Sequence, residues 1–253
     1  MSKKIVLIAG PTASGKSKIA IEIAKKIKGE IINADSMQVY KEFSILSSRP
    51  SNLDLKKIKH YLYGFQSAKK HFSTGAWLKL VKKQVNLCLK NKKIPILVGG
   101  TGLYFESITK GMSKIPNINF KERKKIRELQ KKLGQIIFYE KLLKLDPLVK
   151  NNIELSDTQR SIRAYEVKKF TKKSIFEWNK LTKSEFKKYQ IFKIFIDMPR
   201  EKLLKNISNR IEQMFKNGCI NEVKFFLGLN IEPTLSANKI IGVREIQIIY
   251  LVL

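Results

Sequence analysis

Residues 10–17 read GPTASGKS, with Gly10, Gly15, Lys16 and Ser17 where the pattern G-x-x-x-x-G-K-[ST] requires them. Such a loop functions only between a strand and a helix, because its backbone N–H groups and the helix N-terminus must surround an anion together. Both flanks agree with that demand. The run IVLIA (5–9) has the length and apolarity of a buried strand, and KSKIAIEIAKKI (16–27) places Ile19, Ile23 and Ile27 at helical spacing. In this setting Lys16 is a mobile positive charge and the Ser17 hydroxyl a ligand for Mg²⁺.

The same alternation continues. EIINAD (30–35), KIPILVGGT (93–101) and IFKIFID (191–197) read as a second, third and fourth buried strand. Helical patterns separate them. Residues 74–92 carry Trp77, Leu80, Val81, Val85 and Leu87–Leu89 on one broad apolar face, and 103–108 reads as a short helix after Gly99-Gly100. The expected fold is α/β: a P-loop NTPase-like open parallel sheet covered by helices, with its ligand crevice outside the carboxyl ends of the strands. Between 114 and 189 the strand signal stops, and basic helical stretches follow at 120–133, 138–149 and 157–170. A helical insertion explains this, dividing the chain into a first core part (1–113), the insertion (114–189) and a second core part (190–253).

With 51 basic against 21 acidic residues the formal charge is +30, which favours a polyanionic partner, discounted for a general enrichment in Lys, Ile and Asn. Cys88 and Cys219 lie too far apart in pattern to suggest a disulfide framework or metal cluster and are expected to be buried or idle thiols. No cleavable leader and no run of 18 apolar residues is seen, so a soluble, cytoplasmic protein is expected.

A phosphoryl-transfer enzyme on this scaffold needs a strand-end carboxylate for its metal. The third strand ends in VGGTG without one. Asp197 closes IFKIFID and keeps a small-molecule or nucleotide kinase open as a reading, although Pro199 behind it favours a helix cap. Asp35, in NADSMQVY, stands at the carboxyl edge of the second strand beside the loop and is the better candidate for a base. Arg210 falls at the edge of the stripe Leu203, Leu204, Ile207, Ile211 and Met214, directed at the protein body. Gln159, Arg160 and Arg163 share a helical face near a start marked by Ser156 and Asp157, with Ser156 and Gln159 at capping-box spacing.

Taken together, GPTASGKS (10–17), ADSMQVYKEFSILSSRP (34–50), PILVGGTGLYFESI (95–108), DTQRSIRAYEV (157–167) and RIEQMFKNGCINEV (210–223) resemble the tRNA dimethylallyltransferases, in order and spacing, over nearly the whole chain. The resemblance implies transfer of a dimethylallyl group from dimethylallyl diphosphate to N6 of the adenosine beside the tRNA anticodon, with Mg²⁺ and as a monomer. It implies that Gly10, Pro11, Thr12, Ala13, Ser14, Gly15, Lys16, Ser17 and Arg210 bind the diphosphate, that Asp35 is the base, and that Thr101 is a hydroxyl near the reacting amine as well as a helix cap. It implies tRNA contacts, through the anticodon stem-loop, for Asp35, Ser36, Met37, Gln38, Thr101, Arg123, Gln159, Arg160, Ser161, Ile162 and Arg163, and for Lys239, Ile240, Ile241, Gly242, Val243 and Arg244.

Three features depart from the family pattern: LSSRP (46–50) where a G-T-A-K-P type is usual, Val243 where an aromatic is usual, and an end at YLVL before a further basic helical segment. They are expected to weaken the grip on RNA and leave the diphosphate site intact, the apolar tail IQIIYLVL forming a packed helix or a truncation point. The readings carried beside the transferase are the kinase, an inactive tRNA-binding relative, and free AMP as acceptor.

Overall fold

Five parallel strands form one sheet in the order β3-β2-β4-β1-β5: β1 Lys4–Ala9, β2 Gly29–Asn33, β3 His60–Tyr61, β4 Ile94–Gly99 and β5 Gln190–Phe195. This is a computed structural model, and it describes residues 3–252. Parallel pairing needs a crossover between neighbours, supplied by α1 (Lys16–Ile27) after β1 and α3 (Thr74–Lys90) before β4. The alternate residues of the strands face two apolar layers. Val6, Ile8, Ile31, Ile96 and Val98 pack on Ala20, Ile21 and Ala24 of α1. Ile5, Leu7, Ile32 and Leu97 pack on Trp77, Val81, Val85 and Cys88 of α3 and on Tyr104 and Ile108 of α4 (Gly102–Thr109).

The expected strands all form, yet three details differ. The fifth, β3, is two residues long and falls below any periodic signal. β5 is an edge strand bonded to β1 alone, so Phe192, Ile194 and Phe195 are exposed and the fourth run is not a buried strand. On the helices the inward stripes also shift: Ile19 of α1 and Leu87 of α3 are exposed, while Ala20, Ala24 and Cys88 are buried.

The chain divides into two compact units, residues 1–109 with 186–253, and residues 110–185. The first also holds α2 (Asn52–Lys57), α8 (Arg200–Lys216), α9 (Cys219–Gly228) and α10 (Val243–Val252). There Val39, Tyr40, Phe43 and Leu46 form a separate core with Val223 and Phe226 of α9 and Ile240, Val243 and Ile246. The tail thus begins as a packed helix, and Leu253 lies outside the described residues. In the second unit α5 (Phe120–Leu145), α6 (Thr158–Thr171) and α7 (Ile175–Lys180) enclose Ile126, Phe138, Leu142, Val149, Ile153, Ala164 and Tyr165. The helices expected at 120–133 and 138–149 are one element interrupted at Gly134, whose φ of 73° is non-helical, and it ends at Leu145 before Pro147. Both cysteines are free and buried, and no described helix is long and apolar enough to cross a membrane.

Trp77 links the sheet to both helices on its face. Its ring stacks on Tyr104 at 3.9 Å and its Nε1–H donates to the Asn33 carbonyl at 2.9 Å, beyond the last bond of β2. Trp77→Phe keeps the stack and orphans that buried carbonyl, so urea unfolding should show a loss of about 1–3 kcal/mol.

Candidate active site

The carboxyl ends of β2, β4 and β1 are adjacent in the sheet, and the loops leaving them form one crevice. Residues 12–18, Asp35, Gln38, Ser47, Ser48, Tyr63, Val98, Gly99 and Arg210 line it. The loop after β1 turns into α1 through Gly15, whose φ of 82° lies in the left-handed region that a side chain resists. No acidic residue occupies the first turn of α1, so its N-terminal partial positive charge is uncompensated. The Ser14 hydroxyl is buried there with no hydrogen-bond partner, an orphan that an anion's oxygen would satisfy.

Two half-buried cations, Lys16 and Arg210, share the crevice with the exposed Lys18. Lys16 Nζ donates to the Pro11 carbonyl at 2.5 Å, and burial lowers its pKa, as does Arg210, against the opposing pull of Asp35. Burial also lowers Arg210, again opposed by Asp35, and Arg210 makes no hydrogen bond or ion pair among the described residues. It is not at the edge of its helix stripe. Leu203, Asn206, Ile207, Arg210 and Met214 are the half-buried residues of α8 and share one face, while Leu204 and Ile211 are exposed, so the guanidinium is centred. One turn earlier Asn206 donates to the Ala13 carbonyl at 3.1 Å and ties α8 to the phosphate-type loop.

Asp35 is placed by its neighbours. Asn33 Oδ1 accepts from Asp35 N–H at 2.8 Å, and Asn33 Nδ2 donates to the carbonyls of Asp35 (2.9 Å) and Leu62 (3.0 Å). Asp35 Oδ1 accepts from Met37 N–H at 2.9 Å, which leaves Oδ2 directed at Gly100, where a Cβ would stand 3.6 Å from it. Thr101 Oγ1 accepts from Ser36 N–H at 2.9 Å and donates to Ser36 Oγ at 3.2 Å, so its hydroxyl joins two strand ends, while its carbonyl accepts the first N–H bonds of α4. Neither Thr101 nor Ser36 lines the crevice itself. Met37 packs toward the core around Phe43. Burial and the Asp35 charge both push the Tyr63 hydroxyl up, keeping it a neutral donor. Asp197 is exposed, accepts from Met198 N–H at 2.9 Å and lies outside the crevice. Nor does it cap α8, since Pro199 holds the N-cap position and forms no side-chain cap.

In the 110–185 unit, Arg123 and Arg163 converge on one buried carboxylate: Glu166 Oε2 accepts from Arg123 Nε at 3.2 Å and from Arg163 Nη1 at 3.1 Å. Two guanidinium groups against one acid leave a net positive charge. Gln159 and Arg160 are exposed, and Ile162 is half-buried. Asp157, not Ser156, caps α6, accepting from Arg160 N–H and pairing with its Nη1 at 2.9 Å. Ser161 does not face solvent; it is fully buried and faces Gln135 Nε2 at 3.4 Å, because it sits on the core side of α6. Among residues 239–244, the side chains of Ile240 and Val243 likewise pack into the core, whereas Lys239, Ile241 and Arg244 are exposed. Gly242, at φ 99°, lies against Leu46.

A model of the family described as IPP transferase matches residues 38–251. The chain belongs to this family. It is 56% identical over 243 residues to a tRNA dimethylallyltransferase of Pelagibacter ubique, covering 96% of this chain and 78% of that protein. To a tRNA dimethylallyltransferase of Rickettsia canadensis it is 43% identical, covering 96% and 75%. The crystal structure of the tRNA isopentenylpyrophosphate transferase of Bacillus halodurans superposes with a TM-score of 0.65 at 28% identity, covering 98% of this chain and 77% of that one.

Asn33, Ser47, Tyr63, Asn206 and Glu166 were not anticipated. Asn206 and Glu166 carry a signal in hindsight, standing four residues before Arg210 and three after Arg163 on their helices. Glu166→Gln should leave the two guanidinium groups facing each other with a neutral partner and lower the stability of the 110–185 unit by roughly 2 kcal/mol, read as faster amide exchange in α5 and α6.

Proposed function

We propose that this chain transfers the dimethylallyl group of dimethylallyl diphosphate to N6 of the adenosine 3′-adjacent to the anticodon of tRNA. The reading rests on one observation above the rest: Lys16 and Arg210, both depressed by burial, meet in a crevice with Asp35 as the acid that opposes them. That balance favours an anion with more than one charge. A crevice of about 240 Å³ suits a diphosphate, and a second hollow of about 660 Å³, sharing Ser48, Tyr63 and Arg210, leaves room beside it for an apolar chain. Family membership and the names of its relatives support tRNA as acceptor.

The chemistry follows from the residues. An exocyclic adenine amine is a weak nucleophile until its proton is removed, and the open Oδ2 of Asp35 takes that proton. The nitrogen then bonds to C1 of the prenyl group as the C1–O bond breaks, its electron pair leaving with the diphosphate. Charge growing on the leaving group is stabilised by Lys16, Arg210 and the N–H groups at the start of α1. Mg²⁺ fits this donor set, because it is commonly held by one or two protein oxygens plus substrate phosphates; Ser17 would hold it, and when bound it would neutralise part of the diphosphate charge. No cluster of three or more acidic, His or Cys ligands exists among the described residues to offer another site. Arg123 and Arg163 are the contacts we assign to the tRNA backbone, and a monomer suffices because the crevice is built within one unit.

Purified protein with Mg²⁺, unmodified tRNA and radiolabelled dimethylallyl diphosphate should place label in the RNA, and in an anticodon stem-loop ahead of free AMP. Absence of label in either acceptor would defeat the reading. Asp35→Asn should slow transfer by about a hundredfold or more with diphosphate binding retained. Arg210→Ala should weaken diphosphate binding about tenfold or more and leave tRNA affinity near wild type, as measured by filter binding.

A further inference from the structure

The segment between β2 and α2 is held by an acid that none of the chemistry above uses. Glu222 stands in the first turn of α9, and its carboxylate accepts four hydrogen bonds from one loop. Oε1 takes Ser44 N–H (2.6 Å), Ser44 Oγ–H (3.0 Å) and Ile45 N–H (2.8 Å), and Oε2 takes Leu46 N–H (2.9 Å). Three consecutive backbone donors closing on one carboxylate form an anion nest filled by the protein's own side chain.

The loop so held is already anchored by apolar contacts, since Phe43 lies 4.6 Å from Phe226 of α9 and Leu46 is buried. What those contacts leave undetermined is the direction of the next peptide groups. Ser48 has φ of 49°, an uncommon conformation for a residue with a Cβ, and persists because Ser48 N–H bonds Ile45 O (2.9 Å) and Arg49 N–H bonds Ser44 O (3.1 Å). In that arrangement the carbonyls of Ser47 and Ser48 both accept from Gln38 Nε2, at 2.9 and 3.0 Å. Both amide hydrogens of Gln38 are thereby consumed, and its Oε1 remains an acceptor in the crevice beside Asp35.

We infer that Glu222 is a positioning residue for the crevice. By holding Ser44–Leu46 it orients the Ser47 and Ser48 carbonyls, and through them fixes Gln38 so that an acceptor, and not a donor, meets the amine of the incoming base. This deepens the proposed function and rests on it. A displacement of about 1 Å at such a group costs up to a hundredfold in rate, and the amide of Glu222→Gln offers the three N–H groups one acceptor oxygen in place of two.

The test is a double-mutant cycle on prenyl transfer to an anticodon stem-loop, with Glu222→Gln, Gln38→Ala and the pair. Each single change should lower kcat about tenfold with KM for dimethylallyl diphosphate within about twofold, and the pair should be no slower than Gln38→Ala alone. Amide exchange at Ser44–Leu46 should rise in Glu222→Gln and stay unchanged in Gln38→Ala, without reference to turnover. Losses that multiply in the pair, or an unchanged kcat in Glu222→Gln, would overturn the inference. Should Glu222→Gln not fold, Glu222→Asp takes its place in the same cycle. A wild-type chain that labels no RNA would overturn the proposed function and this inference with it; an active wild type with multiplicative losses would overturn this inference alone.

Discussion

The close approach of the ends of β2 and β4 is the constraint from which the crevice follows. At Gly99 an added Cβ would stand 2.1 Å from the backbone of Ala34 and 2.7 Å from Asp35 N, so only glycine lets the two strand ends run together. Ala34 N–H then donates to Val98 O, Thr101 N–H to Ala34 O, and Ser36 N–H to Thr101 Oγ1. Asp35 is threaded through this seam with its backbone fully bonded, which orders one carboxylate oxygen and leaves the other open. A carboxylate held this way by its backbone has little orientational freedom left to lose, as the role proposed for it requires.

Against that seam the chain sets two cations on separate elements, one at the start of α1 and one in the middle of α8. Burial disfavours the charge of both, and the Arg210 charge adds to the lowering at Lys16, each against the opposing pull of Asp35. Folding tolerates the strain because Asn206 and the Pro11 carbonyl hold the two elements locally. An anion entering the crevice would meet both cations at once, which is what the proposed function asks of them. The 110–185 unit repeats the theme in weaker form, with Arg123 and Arg163 sharing Glu166.

Positioning by a residue remote in sequence is a general consequence of this topology. The segment 34–50 leaves the sheet to form the crevice wall, and its own bonds do not determine where its carbonyls point. α9, some 180 positions later, completes it through Glu222 and Phe226. A loop that lines a site thus gains rigidity from a helix that does not.

The strand–loop–helix at 4–27, the parallel alternation and the candidacy of Asp35 and Arg210 were legible in the sequence because each is local: a run of one period, a glycine pattern, a carboxylate at a strand end. The two-residue β3 left no periodic trace, the break at Gly134 does not interrupt the helical pattern around it, and the burial of β5 was misjudged because apolarity does not tell an edge strand from a central one. Tertiary structure alone decided that Ser161, Ile240 and Val243 are core, that Asp197 lies outside the crevice, and that Glu222 and Glu166 each take a partner from another element, the 44–46 loop for one and Arg123 of α5 for the other. The physical reason is the same throughout. A side chain's period states which face it shares, and only the packed neighbours determine whether that face meets solvent, core or a distant carboxylate.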